Sequence, residues 1–403
     1  MLAPLTGRDL LGRFQTLDAF LREHQALWRP RPFTHLVLPW ESRHVELARW
    51  LRQRSLADAE ADHNQPEQLA APAPFAHLAT QASRLSAIGD LPARPLHAAA
   101  SRLDSDVPGR KWQQIEAFAS CLDFAQQPGH WLDWCAGKGH LGRRLLQPQQ
   151  RLTCLEYDPA LIEAGQHLSQ HHGLAVEHTQ MDVMSPAAVQ ALNSDITPVA
   201  LHACGDLHVR LIHLASEAGC RQLAIAPCCY NRITSAQYQP LSQAARASEL
   251  RLSLDDLALP QSETVTAGAR VRRQRDQSMA RRLSFDLLQR HLRQSDDYLP
   301  TPSLPSAWLD KPFADYCRDL AALKGLPINT HHDWPALETA GWQRLAHVRN
   351  LELVRGLFRR PLELWLVLDR ALLLEEKGYH VQLGQFCPKP LSPRNLLLLA
   401  EAF

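Results

Sequence analysis

The chain has almost no net charge, no cysteine spacing of a disulfide framework and no apolar run of membrane length, and each absence removes a class of function. Lysine and arginine total 43 against 42 aspartates and glutamates, a formal charge of +1, so no whole-molecule field draws the protein to nucleic acid or to a lipid surface. The nine cysteines are scattered without C-x-x-C spacing, which argues against a secreted disulfide framework and against a structural metal. No apolar run approaches the roughly 20 residues that a bilayer span needs, and the longest, LWLVLD, is core-sized. The opening MLAPLTGRDLLGRF lacks the charged start, unbroken apolar core and cleavage site of a signal peptide. A cytoplasmic location with no membrane partner is the expectation. What remains, 45% hydrophobic and 21% charged over 403 residues, is an ordinary globular composition in a chain long enough for two domains or one elaborated domain.

One stretch organises the rest: WLDWCAGKGHLG, Trp131 to Gly142. It reads as a buried strand, a turn of small residues and the first turn of a helix. Glycine lets the backbone approach a ligand closely, and a helix start offers unpaired N–H groups. Gly137, Gly139 and Gly142 fit G-x-G-x-x-G, a weak signal alone.

Around this turn the chain alternates. GRKWQQIEAFASCL reads as a helix entering it, with Trp112, Ile115, Phe118 and Leu122 on the apolar face and Lys111 or Gln114 able to reach a neighbouring pocket. Strands follow at Arg151–Asp158, at LAVEHTQMDV, at Pro198–Asp206 and at Arg221–Asn231, separated by helical segments. That pattern predicts a doubly wound, Rossmann-like parallel sheet. The closing YHVQLGQF and LLLLAEAF read as a terminal hairpin completing the sheet edge. Residues 1 to about 105 form a mostly helical N-terminal region, and residues 106 to 403 the sheet domain with a helical insertion at about 240–345.

Three acids point to the cofactor. Asp133 stands two residues before the turn, where a carboxylate suits the ammonium of S-adenosylmethionine, a group that NAD lacks. Glu156 ends the next strand and can bind a ribose. Asp182 follows the third and can accept from an adenine amino group. S-adenosylmethionine is the expected cofactor, held by Lys111, Gln114, Asp133, Cys135, Gly137, Gly139, Glu156, Asp182 and His202.

The chain also resembles the class I methyltransferase-like domain shared by methyltransferase-like protein 25, the glutathione S-transferase C-terminal-domain-containing protein and bacterial relatives. The matching pieces are GRKWQQIEAFA, LDWCAGKGHLG, ALHACGDLHVRLI, AIAPCCYN, PLELWLVLDRALLLEEKG and SPRNLLLLA, which together cover much of residues 109–400. HACGD combined with PCCYN is the specific part. Cys135 stands where methyltransferases commonly have the first glycine of the turn. A more distant likeness is to the tRNA 2′-O-methyltransferases that carry a CHHC zinc finger, although no such finger is visible here. The resemblance implies a seven-strand class I methyltransferase sheet and methyl transfer to an acceptor.

Ligands of an open parallel sheet bind beyond the carboxyl ends of its strands, so His202, Cys204, Asp206, Cys228, Cys229, Tyr230 and Asn231 should face the acceptor. Asp206 or His202 could serve as general base. Tyr230 and Asn231 could hold a planar acceptor by stacking and hydrogen bonding. Cys204 or Cys228 could attack a pyrimidine, or the cysteines could be small apolar packing residues. Zinc would require the thiols and His202 to converge through folding, and no metal is expected. Arginines crowd residues 269–293 (Arg270, Arg272, Arg273, Arg275, Arg281, Arg282, Arg290 and Arg293), with a lesser group at Arg349, Arg355, Arg359 and Arg360. Such arginines suit an RNA partner or a solvated helix face. The functional expectation is a methyltransferase with a macromolecular acceptor, RNA ahead of protein. The rival is a scaffold that binds the cofactor without turning it over.

Overall fold

The structure is a computed structural model that describes residues 2–99, 102–262, 268–328 and 331–402. The described residues fall into two compact units: those of Met1–Glu23, Leu85–Gln261 and Arg360–Phe403 form one, and those of His24–Arg84 and Ser262–Arg359 the other. None of their helices is long and apolar enough to cross a membrane.

The first unit is built on a single eight-stranded sheet. Its strands are β1 (Leu5–Thr6), β2 (His130–Trp134), β3 (Arg151–Glu156), β4 (Glu177–Gln180), β5 (Ile196–Cys204), β6 (Gln222–Cys228), β7 (Tyr379–Gln385) and β8 (Leu396–Ala402). Their order across the sheet is β1-β7-β8-β6-β5-β2-β3-β4. The pairs among β2, β3, β4, β5 and β6 are parallel, and the β7–β8 hairpin joins antiparallel through β8 against β6. All seven residues of QLAIAPC in β6 are buried, as a parallel strand covered on both faces must be. The helix Pro159–His171 starts where Asp158 accepts from the Ala160 N–H at 2.9 Å, with Pro159 in its first turn.

The doubly wound sheet and its terminal hairpin are as expected, with one strand more than the expected seven. Leu5 and Thr6 pair antiparallel with Leu383 and Gln382 of β7. Two residues carry too little periodicity to read as a strand, and only the free edge of β7 gives them a ladder.

The compact units divide the chain at other places than residue 105. The helix Arg8–Glu23 belongs with the sheet, because Phe14 packs on Trp365 at 5.1 Å between ring centroids and Trp365 Nε1 donates to Asp18 at 3.0 Å. Residues 85–99 also join the sheet unit, with the Leu91 N–H donating to the Gln385 carbonyl at 2.8 Å. Asp369 ties residues 238–242 to the first unit: it accepts from Tyr238 Oη at 2.6 Å and from the N–H groups of Leu241 and Ser242. Those contacts lie far apart in sequence, where local pattern carries no trace of them.

The second unit is helical. Its long helices, Ala269–Arg293 and Trp334–Gly356, pack closely at Gly341, where a Cβ would fall 1.8 Å from Ser284 Oγ. Buried Asp286 accepts from Arg290 at 3.0 Å and from Arg344. Phe285, Leu288, Phe313, Tyr316 and Leu320 form a local core beside it.

Candidate cofactor and acceptor site

β2 lies between β3, which follows it in the chain, and β5, so the winding reverses at this strand. Ligands of such sheets bind beyond the carboxyl ends at a switch point, and the glycine turn lies there, between β2 and the helix His140–Leu145. Cys135, Gly137 and Gly139 all take left-handed backbone, with φ of 58°, 57° and 75°. At Gly139 a Cβ would lie 3.0 Å from Cys154 Sγ and 3.1 Å from His178 Cε1, whereas at Gly137 it would meet nothing within 4 Å. Gly139 is therefore required by packing, and Gly137 presents bare backbone to open space. Buried Arg143 pins the turn from the helix His140–Leu145, donating to the Lys138 carbonyl at 2.6 Å.

The three acids sit in three different environments. Asp133 is 3% exposed and accepts from the Gly142 N–H at 2.9 Å. Burial pushes its carboxyl up to about 7, against the opposing pull of that hydrogen bond and of Arg143. Glu156 accepts from the N–H groups of Gly137 at 2.8 Å, Tyr157 at 2.8 Å and Asp158 at 3.1 Å. Asp182 is exposed and accepts from the Met184 N–H at 2.9 Å. Tyr157 and Met184, which the sequence reading passed over, are 70% and 41% exposed beside the strand-end acids. They give the site flat apolar surface suited to a ring.

At the end of β5 the register with β6 shifts between Leu201 and Cys204, and His202 takes φ 71° inside that irregularity. Gln114 donates to the Leu391 carbonyl at 3.1 Å, which turns its Oε1 toward His202 Nε2 at 2.9 Å. Nε2 therefore carries the hydrogen and Nδ1 the lone pair. Burial, then the positive charge of Lys111, holds His202 down at about 4. The same exposed Lys111 acts on Asp133 and His140, so the helix Gly109–Ser120 presents Lys111 and Gln114 at the site.

Two residues expected at the acceptor surface are engaged elsewhere. Tyr230 is 0% exposed; its ring lies under Arg370, 5.3 Å from centroid to guanidinium, and its hydroxyl faces Glu363 at 3.5 Å. It lies buried two residues beyond the end of β6 at Cys228. Asp206 is the first residue of the helix Asp206–Glu217 and accepts from both the N–H and the hydroxyl of Thr234, at 2.8 and 3.0 Å. Its carboxylate fastens a loop. Asn231 is half-buried against the amide of Gln261.

The cysteines do converge. Cys204 and Cys228 are register partners on adjacent parallel strands, and their Sγ atoms lie 3.5 Å apart. With Cys229, whose φ is 48°, the three Sγ atoms lie within 4.8 Å of one another. Cys135 stays apart, its thiol pushed up to about 12 by burial. No spacing in the sequence announces this cluster, because it depends on the pairing register of two strands.

The arginines of the second unit mostly serve its own packing. Arg281 donates to the carbonyls of Trp308 and Lys311, Arg282 to Thr301 and Pro302, Arg290 to Thr34, and Arg293 to Gln289 and Asp297. Arg275 and Arg349 bind Asp276, and Arg355 and Arg359 donate to the carbonyls of Trp28 and His63. Arg360, which belongs to the first unit, pairs with Glu363 at 2.7 Å. Arg270, Arg272 and Arg273 are exposed.

Residues 110–236 match the family model described as a methyltransferase domain. The matched residues run from the helix that presents Lys111 and Gln114, through the glycine turn, to just past Asn231. Similar solved structures include a precorrin-6y C5,15-methyltransferase from Geobacter metallireducens GS-15, 14% identical with a TM-score of 0.23, over 32% of this chain and 66% of that one. A coclaurine N-methyltransferase bound to N-methylheliamine and SAH is 15% identical with a TM-score of 0.23, over 54% of this chain and 59% of that one. A protein from work on the conversion of a disulfide bond into a thioacetal group during echinomycin biosynthesis is 15% identical with a TM-score of 0.23, over 31% of this chain and 52% of that one. The chain thus spans between about half and two thirds of the length of these structures. No curated protein matches it.

Proposed function

We propose that this chain transfers the methyl group of S-adenosylmethionine to a macromolecular acceptor, RNA ahead of protein, and that it is a relative of the methyltransferase-like protein 25 group. The observation that carries the reading is the bare backbone of Gly137 at the switch point, flanked by Glu156 and by the exposed Tyr157 and Met184. Those residues fit the cofactor: Glu156 for ribose hydroxyls, Tyr157 and Met184 for the adenine, Asp182 for its amino group. Asp133 and Lys111 set the charge at the opposite end. When bound, S-adenosylmethionine supplies an electrophilic methyl group on a sulfonium.

The residues of the chain limit what can happen to the acceptor. With Asp206 and Tyr230 engaged elsewhere, His202 is the basic side chain left at the strand ends. At about 4 it is neutral at pH 7, which makes it a weak general base and a good hydrogen-bond acceptor through Nδ1. It suits orienting an acceptor that is already nucleophilic. RNA draws support from the exposed Arg270, Arg272 and Arg273. The engagement of Asp206 and Tyr230 also favours a second reading, a cofactor-binding scaffold without turnover.

Radiolabelled S-adenosylmethionine added to extracts from cells lacking the gene, with the purified protein, separates these readings. Label in an RNA fraction or a protein band supports transfer and names the acceptor class. Cofactor binding by calorimetry with no label in any fraction overturns transfer in favour of the scaffold. A flat salt response of RNA binding removes RNA.

A further inference from the structure

We propose that Cys204, Cys228 and Cys229 form a three-thiolate site for zinc, with a fourth coordination position left for water or an incoming ligand. A zinc ion holding thiolates at about 2.3 Å in tetrahedral geometry sets its sulfurs roughly 3.8 Å apart. The Sγ atoms of Cys204 and Cys228 are 3.5 Å apart and all three lie within 4.8 Å of one another, so small rotations of the side chains close the triangle. Packing alone does not require this arrangement. Three thiols meet at the ends of two adjacent strands, and a register shift before Cys204 and a left-handed Cys229 are needed to bring them together.

Access agrees with a metal. Cys228 is buried while Cys204 and Cys229 are half-buried, so the cluster is closed beneath and open at its rim. A site with three protein ligands and one open position is the pattern of zinc that acts on a ligand, whereas four protein ligands mark a purely structural ion. Binding releases the thiol protons to solvent. Since the open position lies at the carboxyl ends of β5 and β6, its occupant would sit in the region assigned to the acceptor.

The test uses the full chain, purified in reductant and loaded with zinc alone. After gel filtration, metal analysis should find one zinc per chain, and iodoacetamide should spare the half-buried Cys204 and Cys229 while modifying them in chelator-treated protein. Cobalt in place of zinc should give a thiolate-to-metal charge-transfer band in the near ultraviolet. Cys228→Ser and Cys229→Ser should lose metal and band; Cys317→Ser, in the second unit, should keep both. Protection in the unsubstituted protein decides the matter even if a variant fails to fold. Failure to retain zinc, equal retention by Cys229→Ser, or a Cys204–Cys228 disulfide in the zinc-loaded protein would each overturn the site. None of these readouts uses methyl transfer, so their failure is distinguishable from failure of the methyltransferase reading.

Discussion

The ends of β2 and β3 and the ends of β5 and β6 lie along the same edge of the parallel sheet, but they are held by opposite means. At β2 and β3 the contacts are short-range: Asp133 accepts from Gly142 and Glu156 from Gly137, Tyr157 and Asp158. At β5 and β6 the support comes from the distant helix Arg359–Glu376. Its Arg370, 0% exposed, donates to His208 Nε2 at 2.6 Å and to Tyr238 Oη at 3.1 Å, while His208 Nδ1 meets the Ala203 carbonyl at 2.9 Å. The second corner thus depends on a neutral histidine held between a buried guanidinium and a strand-end carbonyl, and that dependence makes it the more fragile of the two.

The largest effect should come from breaking that distant support. Arg370→Leu leaves His208 Nε2 and the Tyr238–Asp369 pair without their cationic partner, and a broken buried charge network costs about 3–5 kcal/mol. Denaturant unfolding should register the loss; a change near zero would mean that packing alone holds the corner. Asp133→Ala, at the locally closed corner, strands the Gly142 N–H and should cost about 1–3 kcal/mol, with cofactor affinity falling alongside. Unchanged stability and unchanged affinity together would remove Asp133 from the site.

A pH experiment sharpens the same contrast. In the folded protein the Asp133 carboxyl stands at about 7, above the roughly 3.9 of an unfolded aspartate. The folded state binds the proton more tightly, so this contribution to stability is fully present below pH 4 and is lost as pH rises toward 7. Asp133→Asn keeps an acceptor for Gly142 and removes the titration. Its stability relative to the parent should therefore rise between pH 4 and 7, and a constant difference would show that the carboxyl is not raised. His202 and His208 are both held below the ordinary histidine value. Each contributes stability above its unfolded value that is lost on acidification through its folded value, so their effect runs opposite to that of Asp133.

What could be read from the sequence follows the same division. The glycine turn and the acids at strand ends lie within short windows, and alternation of strand and helix fixes where such windows fall on the sheet. The parallel order and the closing hairpin follow from that alternation. The burial of Tyr230, the loop-fastening role of Asp206 and the meeting of Cys204 with Cys228 depend on partners more than twenty residues away. Composition misleads in the arginine-rich helix for a related reason. Arg281 and Arg290 look like solvent-facing charge in a list of residues, but only the packed unit supplies the carbonyls of Trp308, Lys311 and Thr34 that they bind.

The smallest expected effect is the most discriminating for the acceptor side. Tyr230 reads in sequence as a stacking platform, and if that were its role, removing its hydroxyl would disturb orientation of the acceptor. In the structure the hydroxyl makes one long contact, 3.5 Å to Glu363, whose carboxylate is already held by Arg360 at 2.7 Å. Tyr230→Phe should then cost less than about 1 kcal/mol and leave methyl transfer and KM for the acceptor unchanged. Tyr230→Ala, by emptying a buried ring site beneath β6, should cost about 3–5 kcal/mol. A Phe variant that folds normally but loses acceptor affinity would place the tyrosine back at the binding surface and require the loop after Cys228 to move when the acceptor binds.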